Sequence, residues 1–266
     1  MTDMWNANVY IQFIESRTRP ARDLLAAIPH SFMPRICYDL GSGPGNSTIL
    51  LKERFSSASI IGVDTSADML LKARKTYPDI TFVQNDIATF AVPEKADLLF
   101  ANASLHWLDR HDLLLKRLSG MLTDDGMLAF QIPNNFHAPT HQIPLAIFDH
   151  HSKWSHLAKA LCYGRLEQPL YNVASYYDHM INAGFIDIQC WETYYFQEID
   201  SLSDIFDWIK GTGLRPVLCH MKEQEQKQFS EIYIESLYAS NKYQTQVNGK
   251  ILFPYQRLFV VGQKRN

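Results

Sequence analysis

The chain has 266 residues, of which 46% are hydrophobic and 20% are charged, and its formal net charge is -3. This composition is typical of a globular protein and excludes a largely disordered chain, while the slightly acidic balance argues against nucleic acid as a partner. No apolar run approaches the roughly 20 residues of a membrane span, so no membrane partner is expected. The segment from Met1 to Gln12 lacks the basic and apolar regions of a signal peptide, and the four cysteines are widely spaced, which together predict a cytoplasmic protein.

The first half of the chain alternates short apolar runs with amphipathic segments, which predicts strands that alternate with helices. Ser66 is a candidate N-cap for the second of these helices. Such alternation is typical of parallel strands joined by right-handed crossovers. The predicted strands span 35–40, 58–63, 80–84, 96–101 and 126–132, and the predicted helices span 46–54, 66–76 and 110–121.

The second half has another pattern, in which helical segments interrupt the last strands. The pattern predicts a loop and short helices over residues 134–170, and it predicts helices that are interrupted near Gly211 over residues 201–241. A helix at 173–183 and strands at 185–196 and 258–263 complete the expected sheet. We expect a single α/β domain with a doubly wound, mostly parallel seven-stranded sheet of Rossmann-like type and a helical cap. Its expected parts are an N-terminal helical segment at 1–32, a cofactor-binding core at 33–133, cap insertions at 134–170 and 201–250, and the last helix and strands of the sheet at 173–196 and 251–266.

A glycine-rich segment follows the first predicted strand, where residues 39–47 are Asp-Leu-Gly-Ser-Gly-Pro-Gly-Asn-Ser. Glycines allow a tight turn and the close approach of a ligand to the backbone. The spacing is GxGxG and not the GxGxxG of dinucleotide sites, and Pro44 removes a backbone donor, which favours a ligand without phosphate. The amino-acid end of S-adenosylmethionine is such a ligand, and Asp39 can bind its ammonium group. The loop alone is equally typical of a plain strand-to-helix turn.

Polar residues also follow the next three predicted strands. Asp64 ends the second strand, about 20 residues past the glycines, where an acidic residue binds ribose hydroxyls. Asp86 can accept a hydrogen bond from the adenine amino group, with Ile87 against the ring, and Asn102 follows the fourth strand. Each acid alone could cap a helix, but together with the glycine loop they favour a nucleoside site. A NAD-dependent dehydrogenase is the competing enzyme class, and the glycine spacing and Asp86 argue against it.

These motifs resemble those of the class I S-adenosylmethionine-dependent methyltransferases, and the chain is similar to their trans-aconitate methyltransferase family over nearly its whole length. The strings narrowest to that family lie at 191–195, 207–216 and 253–259. Two positions depart from the family pattern, since Ser42 stands where cysteine is common and His106 stands where glutamine is usual. Residues 136–170 match less closely.

The resemblance implies methyl esterification of a carboxylate of a small polycarboxylic acid, trans-aconitate, with S-adenosylhomocysteine as the second product. A carboxylate is ionised at neutral pH and can attack the methyl group directly, so neither a general base nor a metal is expected. The histidines of residues 137–156 match no metal-ligand spacing and are expected on a solvated surface. The expected cofactor contacts are Asp39, Gly41, Gly43, Asp64, Met69, Asp86, Ile87 and Asn102.

A polycarboxylate substrate needs cationic partners, and the planar guanidinium of arginine suits carboxylates. Arg215 and Arg257 are the strongest candidates because each stands beside proline and apolar residues, and Arg19 is next; Arg17 also lies in a matching string. A solvated surface charge is the alternative for each of them.

Aromatic residues and one histidine complete the expected substrate site. Trp191 and Tyr195 are candidate walls, as are Tyr194, Trp208 and Tyr255, and core packing is the alternative for all of them. His106 follows the fourth strand and is a candidate hydrogen-bond donor to the substrate, with a packed or a solvent-facing histidine as the alternatives.

Other functions remain open from the sequence. Another acid, such as a malonyl thioester on a carrier, could be methylated, or the chain could bind S-adenosylmethionine without catalysis. Nucleic-acid methylation is disfavoured by the charge and because no Asn-Pro-Pro-aromatic string follows the fourth strand. The expected oligomeric state is a monomer or a weak homodimer.

Overall fold

The computed structural model describes residues 14–161 and 172–265, with side chains from residue 18 onward. Residues 1–13 of the predicted N-terminal segment, residues 162–170 of the first predicted cap insertion and the side chain of Arg17 lie outside the described residues. The N-terminal segment contains a helix at Ile14–Ala26, which we call α1.

The centre of the fold is a seven-stranded sheet with the strand order β3-β2-β1-β4-β5-β7-β6. Strands β1 to β5 pair in parallel, and β7 pairs antiparallel to β5. The predicted doubly wound, mostly parallel α/β fold is therefore confirmed. The strands are β1 Ile36–Leu40, β2 Ser59–Asp64, β3 Thr81–Gln84, β4 Ala96–Asn102, β5 Leu122–Pro133, β6 Phe185–Ile199 and β7 Ile251–Lys264. The remaining helices are α2 Asn46–Arg54, α3 Ala67–Thr76, α4 His111–Gly120, α5 Pro139–His150, α6 Ala158–Leu161, α7 Val173–Asn182, α8 Leu202–Lys210, α9 Arg215–Leu218 and α10 Glu223–Ser240.

Local sequence explains where these elements begin and end. Five of the seven residues of β4 are buried, as expected for a parallel strand that is covered on both faces. Helix α3 begins after Ser66, whose Oγ accepts the N–H of Met69 at 3.3 Å, so the predicted N-cap is confirmed. Helix α2 begins after Gly45, which has a left-handed backbone conformation.

Strand β4 is one residue longer than the sequence predicted, and β5, β6 and β7 extend further beyond their predicted bounds. Strand β7 begins at Ile251 and not at residue 258, because residues 251–255 already alternate between buried and exposed or half-buried positions. Pro254 concealed this alternation, since a proline lacks the N–H that a central strand donates. Strand β5 begins four residues early, beyond a register shift against Ala96 and Leu98, and β6 continues to Ile199.

Contacts divide the chain into two compact units. Unit 1 comprises Met1–Pro133, Tyr171–Thr193 and Arg257–Asn266, and unit 2 comprises Asn134–Leu170 and Tyr194–Gln256. Unit 2 thus contains both predicted cap segments, together with the ends of β6 and β7. The single-domain organisation that the sequence suggested stays a prediction.

Unit 2 has an aromatic core of its own. The Phe148 ring of α5 stacks on Phe229 of α10 with centroids 5.6 Å apart, and Trp154 meets Phe229 edge-on at 5.8 Å. The expected solvated surface for the histidines of this region is wrong for His141, which is buried with its Nδ1 3.1 Å from Thr140 Oγ1. None of the described helices is both long and apolar enough to cross a membrane.

Candidate active site

The glycine loop after β1 lies against the segment that follows β4. Gly41 has φ +80°, and a Cβ on it would lie 2.2 Å from Ser104 Cβ, so only glycine fits there. The Ser104 hydroxyl donates to the carbonyl oxygen of Leu40, which fastens the same two segments together. Gly43 also has a left-handed conformation, with φ +53°, but a Cβ on it would meet no atom within 4 Å. A ligand can therefore approach the backbone of the loop at Gly43.

Asp39 is a buried carboxylate at the end of β1. Its Oδ2 accepts hydrogen bonds from Ser47 Oγ at 2.7 Å and Thr48 Oγ1 at 2.6 Å, while its Oδ1 is buried and meets no hydrogen-bond donor among the described residues. Burial raises the pKa of Asp39 to about 6, the two hydroxyl hydrogen bonds oppose that rise, and the charge of Asp64 adds to it. A cation beside Oδ1 would relieve this cost, so the carboxylate fits the ammonium group of S-adenosylmethionine.

Asp64 supports the glycine loop as well as ending β2. Its Oδ2 accepts the N–H of Gly43 at 2.8 Å, and its Oδ1 accepts the N–H of Ser66 at 2.9 Å. Each carboxylate oxygen can accept more than one hydrogen bond, so these contacts are compatible with the predicted ribose hydroxyls. The sequence did not predict that this side chain would hold the loop.

The turn after β3 presents the predicted adenine contacts. Asp86 is exposed, its Oδ1 accepts the N–H of Ala88 at 2.8 Å, and its backbone oxygen accepts the N–H of Phe90 at 2.7 Å. Asp86 therefore holds this turn through Oδ1 and caps no helix, and this is compatible with the predicted adenine contact through Oδ2. Ile87 is buried. Met69 is also buried, in α3, and its contact with the cofactor stays a prediction.

Two amide side chains lie together where β4 and β5 end. Asn102 and Gln131 are in register, and Gln131 Nε2 donates to Asn102 Oδ1 at 2.5 Å. Gln131 is 1% exposed, and its Oε1 is buried without a hydrogen-bond partner among the described residues. Sequence reasoning missed Gln131, although a polar residue within the apolar run 126–132 was a signal.

The turn after β4 carries His106. Residues Leu105–Trp107 form a single 3-10 turn in which His106 is 5% exposed, so the solvent-facing alternative for this histidine is wrong. His111 anchors the turn, because its Nε2 lies 3.0 Å from the carbonyl oxygens of both Leu105 and Leu108. Because carbonyl oxygens only accept, the hydrogen of the neutral ring is on Nε2, and Nδ1 accepts from the hydroxyl of Tyr176 at 2.6 Å. The sequence offered no sign of this anchor.

The candidate arginines lie in different settings. Arg257 is half-buried on β7 and pairs with Pro133, so it lies in unit 1 at the edge where Asn102 and Gln131 also lie. Arg19 is exposed on α1, a position that the alternative of a solvated charge also explains.

Arg215 begins α9 in unit 2, is half-buried, and donates its backbone N–H to Thr212 O at 3.1 Å. Its turn is closely packed, because a Cβ on Gly213 would lie 2.9 Å from His141 Nε2.

Most of the candidate aromatic residues are used in packing. Trp191 stacks on Phe259 in unit 1, with centroids 4.7 Å apart and ring planes 8° apart. In unit 2, Tyr195 stacks on Tyr255 at 5.1 Å, and Trp208 lies 5.3 Å from the same ring. Packing accounts for these rings, and their contacts with a substrate stay predictions. No three His, Cys, Asp or Glu side chains within the described residues are placed to hold a metal ion.

Comparison with solved structures supports the same class of fold. The chain superposes on the YcgJ protein from Bacillus subtilis with a TM-score of 0.60 at 16% identity, over 93% of this chain and 99% of the other. It superposes on phosphoethanolamine N-methyltransferase 2 of Haemonchus contortus, solved with S-adenosyl-L-methionine, with a TM-score of 0.55 at 13% identity, over 93% of this chain and 53% of the other. A family model described as a methyltransferase domain matches residues 37–126. The matched domain and the curated relatives described next show an S-adenosylmethionine-dependent methyltransferase, so the dehydrogenase alternative is wrong.

Curated relatives are similar over nearly the full chain. The trans-aconitate 2-methyltransferase of Klebsiella pneumoniae is 38% identical over 98% of both chains. That of Afipia carboxidovorans is 40% identical over 97% of this chain and 98% of its own. The chain belongs to the trans-aconitate 2-methyltransferase family, and S-adenosylmethionine is its methyl donor.

Proposed function

We propose that this enzyme methylates a carboxylate of trans-aconitate and forms the monomethyl ester and S-adenosylhomocysteine. The observation that carries the proposal is the 38–40% identity with relatives of that name over 97–98% of the chain. The half-buried Arg257 supports it, because it lies at the same edge of the sheet as Asn102 and Gln131 and its guanidinium can neutralise an anionic substrate.

The methyl transfer requires that the carboxylate oxygen and the methyl group are aligned, and it requires no proton transfer. A carboxylic acid is ionised at neutral pH, so its oxygen is already a nucleophile and needs no general base. S-adenosylmethionine, when bound, supplies a methyl group on a positively charged sulfur. The chain must therefore hold the carboxylate in line with that methyl group and keep water away.

Unit 1 supplies the groups that we assign to the methyl donor. Asp39 binds the ammonium group through its buried Oδ1, and the backbone at Gly43 borders the amino-acid end. Asp64 accepts from the ribose hydroxyls while it holds the Gly43 N–H. Asp86 accepts from the adenine amino group, and Ile87 packs against the ring.

Asn102 stays assigned to the methyl donor: its Oδ1 accepts from Gln131, so its Nδ2 group is the donor for the ligand's carboxylate. Two groups of unit 1 are assigned to the acid. Arg257 binds a carboxylate of the acid through its planar guanidinium. His106 donates to the substrate from the turn after β4. Roles for Arg215 and Arg19 remain predictions from the family resemblance.

The substrate can be tested with purified protein, methyl-labelled S-adenosylmethionine and a panel of di- and tricarboxylic acids. We expect the fastest labelling with trans-aconitate, and we expect the label to be released as methanol by alkali, as from an ester. Binding of S-adenosylmethionine without labelling of any acid would favour a non-catalytic protein. Faster labelling of a malonyl thioester than of any free acid would favour the other alternative.

We also propose that the enzyme acts in the cytoplasm as a monomer or a weak homodimer. Within the part of the chain that the structure describes, Cys37, Cys190 and Cys219 are free thiols, as in a reducing compartment. Burial raises the pKa of Cys37 to about 12 and that of Cys190 to about 11, so both stay protonated thiols. Gel filtration with light scattering measures the oligomeric state, and a stable higher oligomer would contradict the proposal.

A further inference from the structure

Arg117 connects helix α4 to the turn that follows β3. It lies in the last turn of α4 and is half-buried. Its Nη1 donates to the carbonyl oxygen of Phe90 at 2.7 Å, and its Nη2 donates to the carbonyl oxygen of Ile87. A charged, planar donor thus binds two backbone acceptors of one short turn.

The turn's own hydrogen bonds satisfy N–H groups and leave these two carbonyls to Arg117. The N–H of Ala88 bonds to Asp86 Oδ1, and the N–H groups of Thr89 and Phe90 bond to the Asp86 carbonyl oxygen at 3.0 and 2.7 Å. A buried carbonyl that loses its partner costs free energy. Arg117 therefore fixes the position of the Ile87 backbone, and in this way it also fixes the position of the neighbouring Asp86.

Electrostatics agree with this geometry. Burial lowers the pKa of Arg117 from its ordinary value, and the negative charge of Asp86 opposes that shift. A guanidinium stays charged at neutral pH even so. The cation is therefore close enough to Asp86 to interact with the carboxylate as well as with the turn.

We propose that Arg117 is a positioning residue for the methyl donor, which fixes the turn so that Asp86 meets the adenine amino group and Ile87 meets the ring. The inference rests on the proposed assignment of Asp86 and Ile87 to adenine. Arg117 itself touches neither donor nor acid in this proposal, and it acts through the carbonyls of Ile87 and Phe90.

Arg54 provides a matched control. It is also a half-buried arginine at the end of a helix, and its guanidinium donates to the carbonyl oxygens of Leu25, Ile28 and Pro29, at 2.6 Å for Ile28 and 3.2 Å for Pro29. Burial lowers its pKa as it does that of Arg117. The carbonyls that Arg54 binds lie in the last turn of α1 and just after it, and they belong to no proposed ligand contact. Substitution of Arg54 therefore reports the structural effect of removing such an arginine.

The test is calorimetric binding of S-adenosylmethionine and of the adenosine fragment 5′-methylthioadenosine to Arg117→Met, Arg117→Lys and Arg54→Met. We expect Arg117→Met to raise the Kd for both ligands by the same factor of about ten, which is about 1.4 kcal/mol. Arg117→Lys keeps a cation and is expected to bind both ligands with intermediate affinity. If Arg117→Met does not fold, the comparison of Arg117→Lys with Arg54→Met still tests the proposal. Arg54→Met is expected to bind like the wild type, and kcat at saturating methyl donor is expected to stay within about twofold in all three.

Two results would overturn the proposal. One is an equal Kd for S-adenosylmethionine in the Arg117 and Arg54 variants, and the other is a loss of affinity that spares 5′-methylthioadenosine. Failure of the wild type to methylate trans-aconitate would overturn the proposed substrate and leave this comparison of affinities intact.

Discussion

Different forces hold two regions of the molecule. One is the polar edge of unit 1, where the glycine loop and Asp64 lie, and the other is the aromatic cluster of unit 2 that Tyr195, Trp208 and Tyr255 form. At the edge of unit 1, directional hydrogen bonds place the backbone, as in the contacts of Asp64 with Gly43 and Ser66. In unit 2, the rings of Tyr195 and Trp208 both pack against the ring of Tyr255. Directional contacts fix positions to fractions of an ångström, whereas ring packing contributes mainly burial. Substitutions at the edge should therefore impair ligand binding, and those in the cluster should impair stability.

The largest effect is expected for Gly41→Ala, which tests how tightly the edge of unit 1 is built. The new methyl group would lie 2.2 Å from Ser104 Cβ, and the residue would keep a left-handed backbone. We expect a loss of about 3 kcal/mol in the free energy of unfolding, measured in urea, and no measurable binding of the methyl donor.

Gly43→Ala is the matched control, because its Cβ has open space and only the φ of +53° opposes it. The free energy of unfolding of Gly43→Ala should fall by only about 1 kcal/mol. Equal losses in the two variants would show that the contact with Ser104 is not what requires glycine at position 41.

The next effect concerns the acid. We expect Arg257→Ala to lower kcat/KM for trans-aconitate about 100-fold, because a desolvated guanidinium–carboxylate pair is lost, and to leave the Kd of the methyl donor unchanged. Arg215→Ala in unit 2 should also lose acid turnover, as the family resemblance implies. Initial rates at varied acid and calorimetry with the methyl donor measure both.

Arg35→Ala is the control for these arginines. Its guanidinium is exposed, 3.8 Å from Asp97, and such surface pairs contribute little. Full acid turnover by both Arg257→Ala and Arg215→Ala would refute the acid-binding role of these residues.

A smaller effect is expected in the aromatic cluster. Trp208 is buried against Phe253 and Tyr255, so Trp208→Leu should lower the free energy of unfolding by about 2 kcal/mol through lost packing. The Kd of the methyl donor should stay as in the wild type. If Trp208→Leu bound the methyl donor ten times more weakly and kept its stability, the proposed difference between the two regions would be wrong.

The smallest effect is a dependence on pH. The pKa of Asp39 lies near 6 in the folded chain, above that of an unfolded aspartate, so this group lowers stability as pH rises from about 4 to 6. The ammonium group of the methyl donor favours the ionised carboxylate, so its affinity should fall as pH drops through about 6, by up to about tenfold per pH unit. Calorimetry between pH 5 and pH 8 measures this, and Asp39→Asn should show a flat profile. A flat profile in the wild type would count against the contact.

The sequence predicted the sheet because β1 to β4 are apolar runs that each end near a polar residue, and parallel strands bring those ends to one edge. Asp39, Asp64, Asp86 and Asn102 were proposed as cofactor contacts in this way, and these contacts stay predictions. Gln131 and Ser104 were not proposed, because their roles arise from partners 29 and 64 positions away, which periodicity does not reveal.

Arg117 and His111 escaped prediction for the same reason. An arginine or histidine on an amphipathic helix has no local mark that shows whether it reaches a distant carbonyl, and their partners lie in other elements. The start of β7 was lost to Pro254, whose missing N–H contradicts the strand pattern around it.

The contact of Gly41 with Ser104 has a consequence for turnover. The glycine loop and the segment after β4 leave no room for each other to shift, and a hydroxyl bond from Ser104 to Leu40 fastens them. The conformational entropy of ordering these two segments against each other is therefore lost once, during folding, and not again in every catalytic cycle.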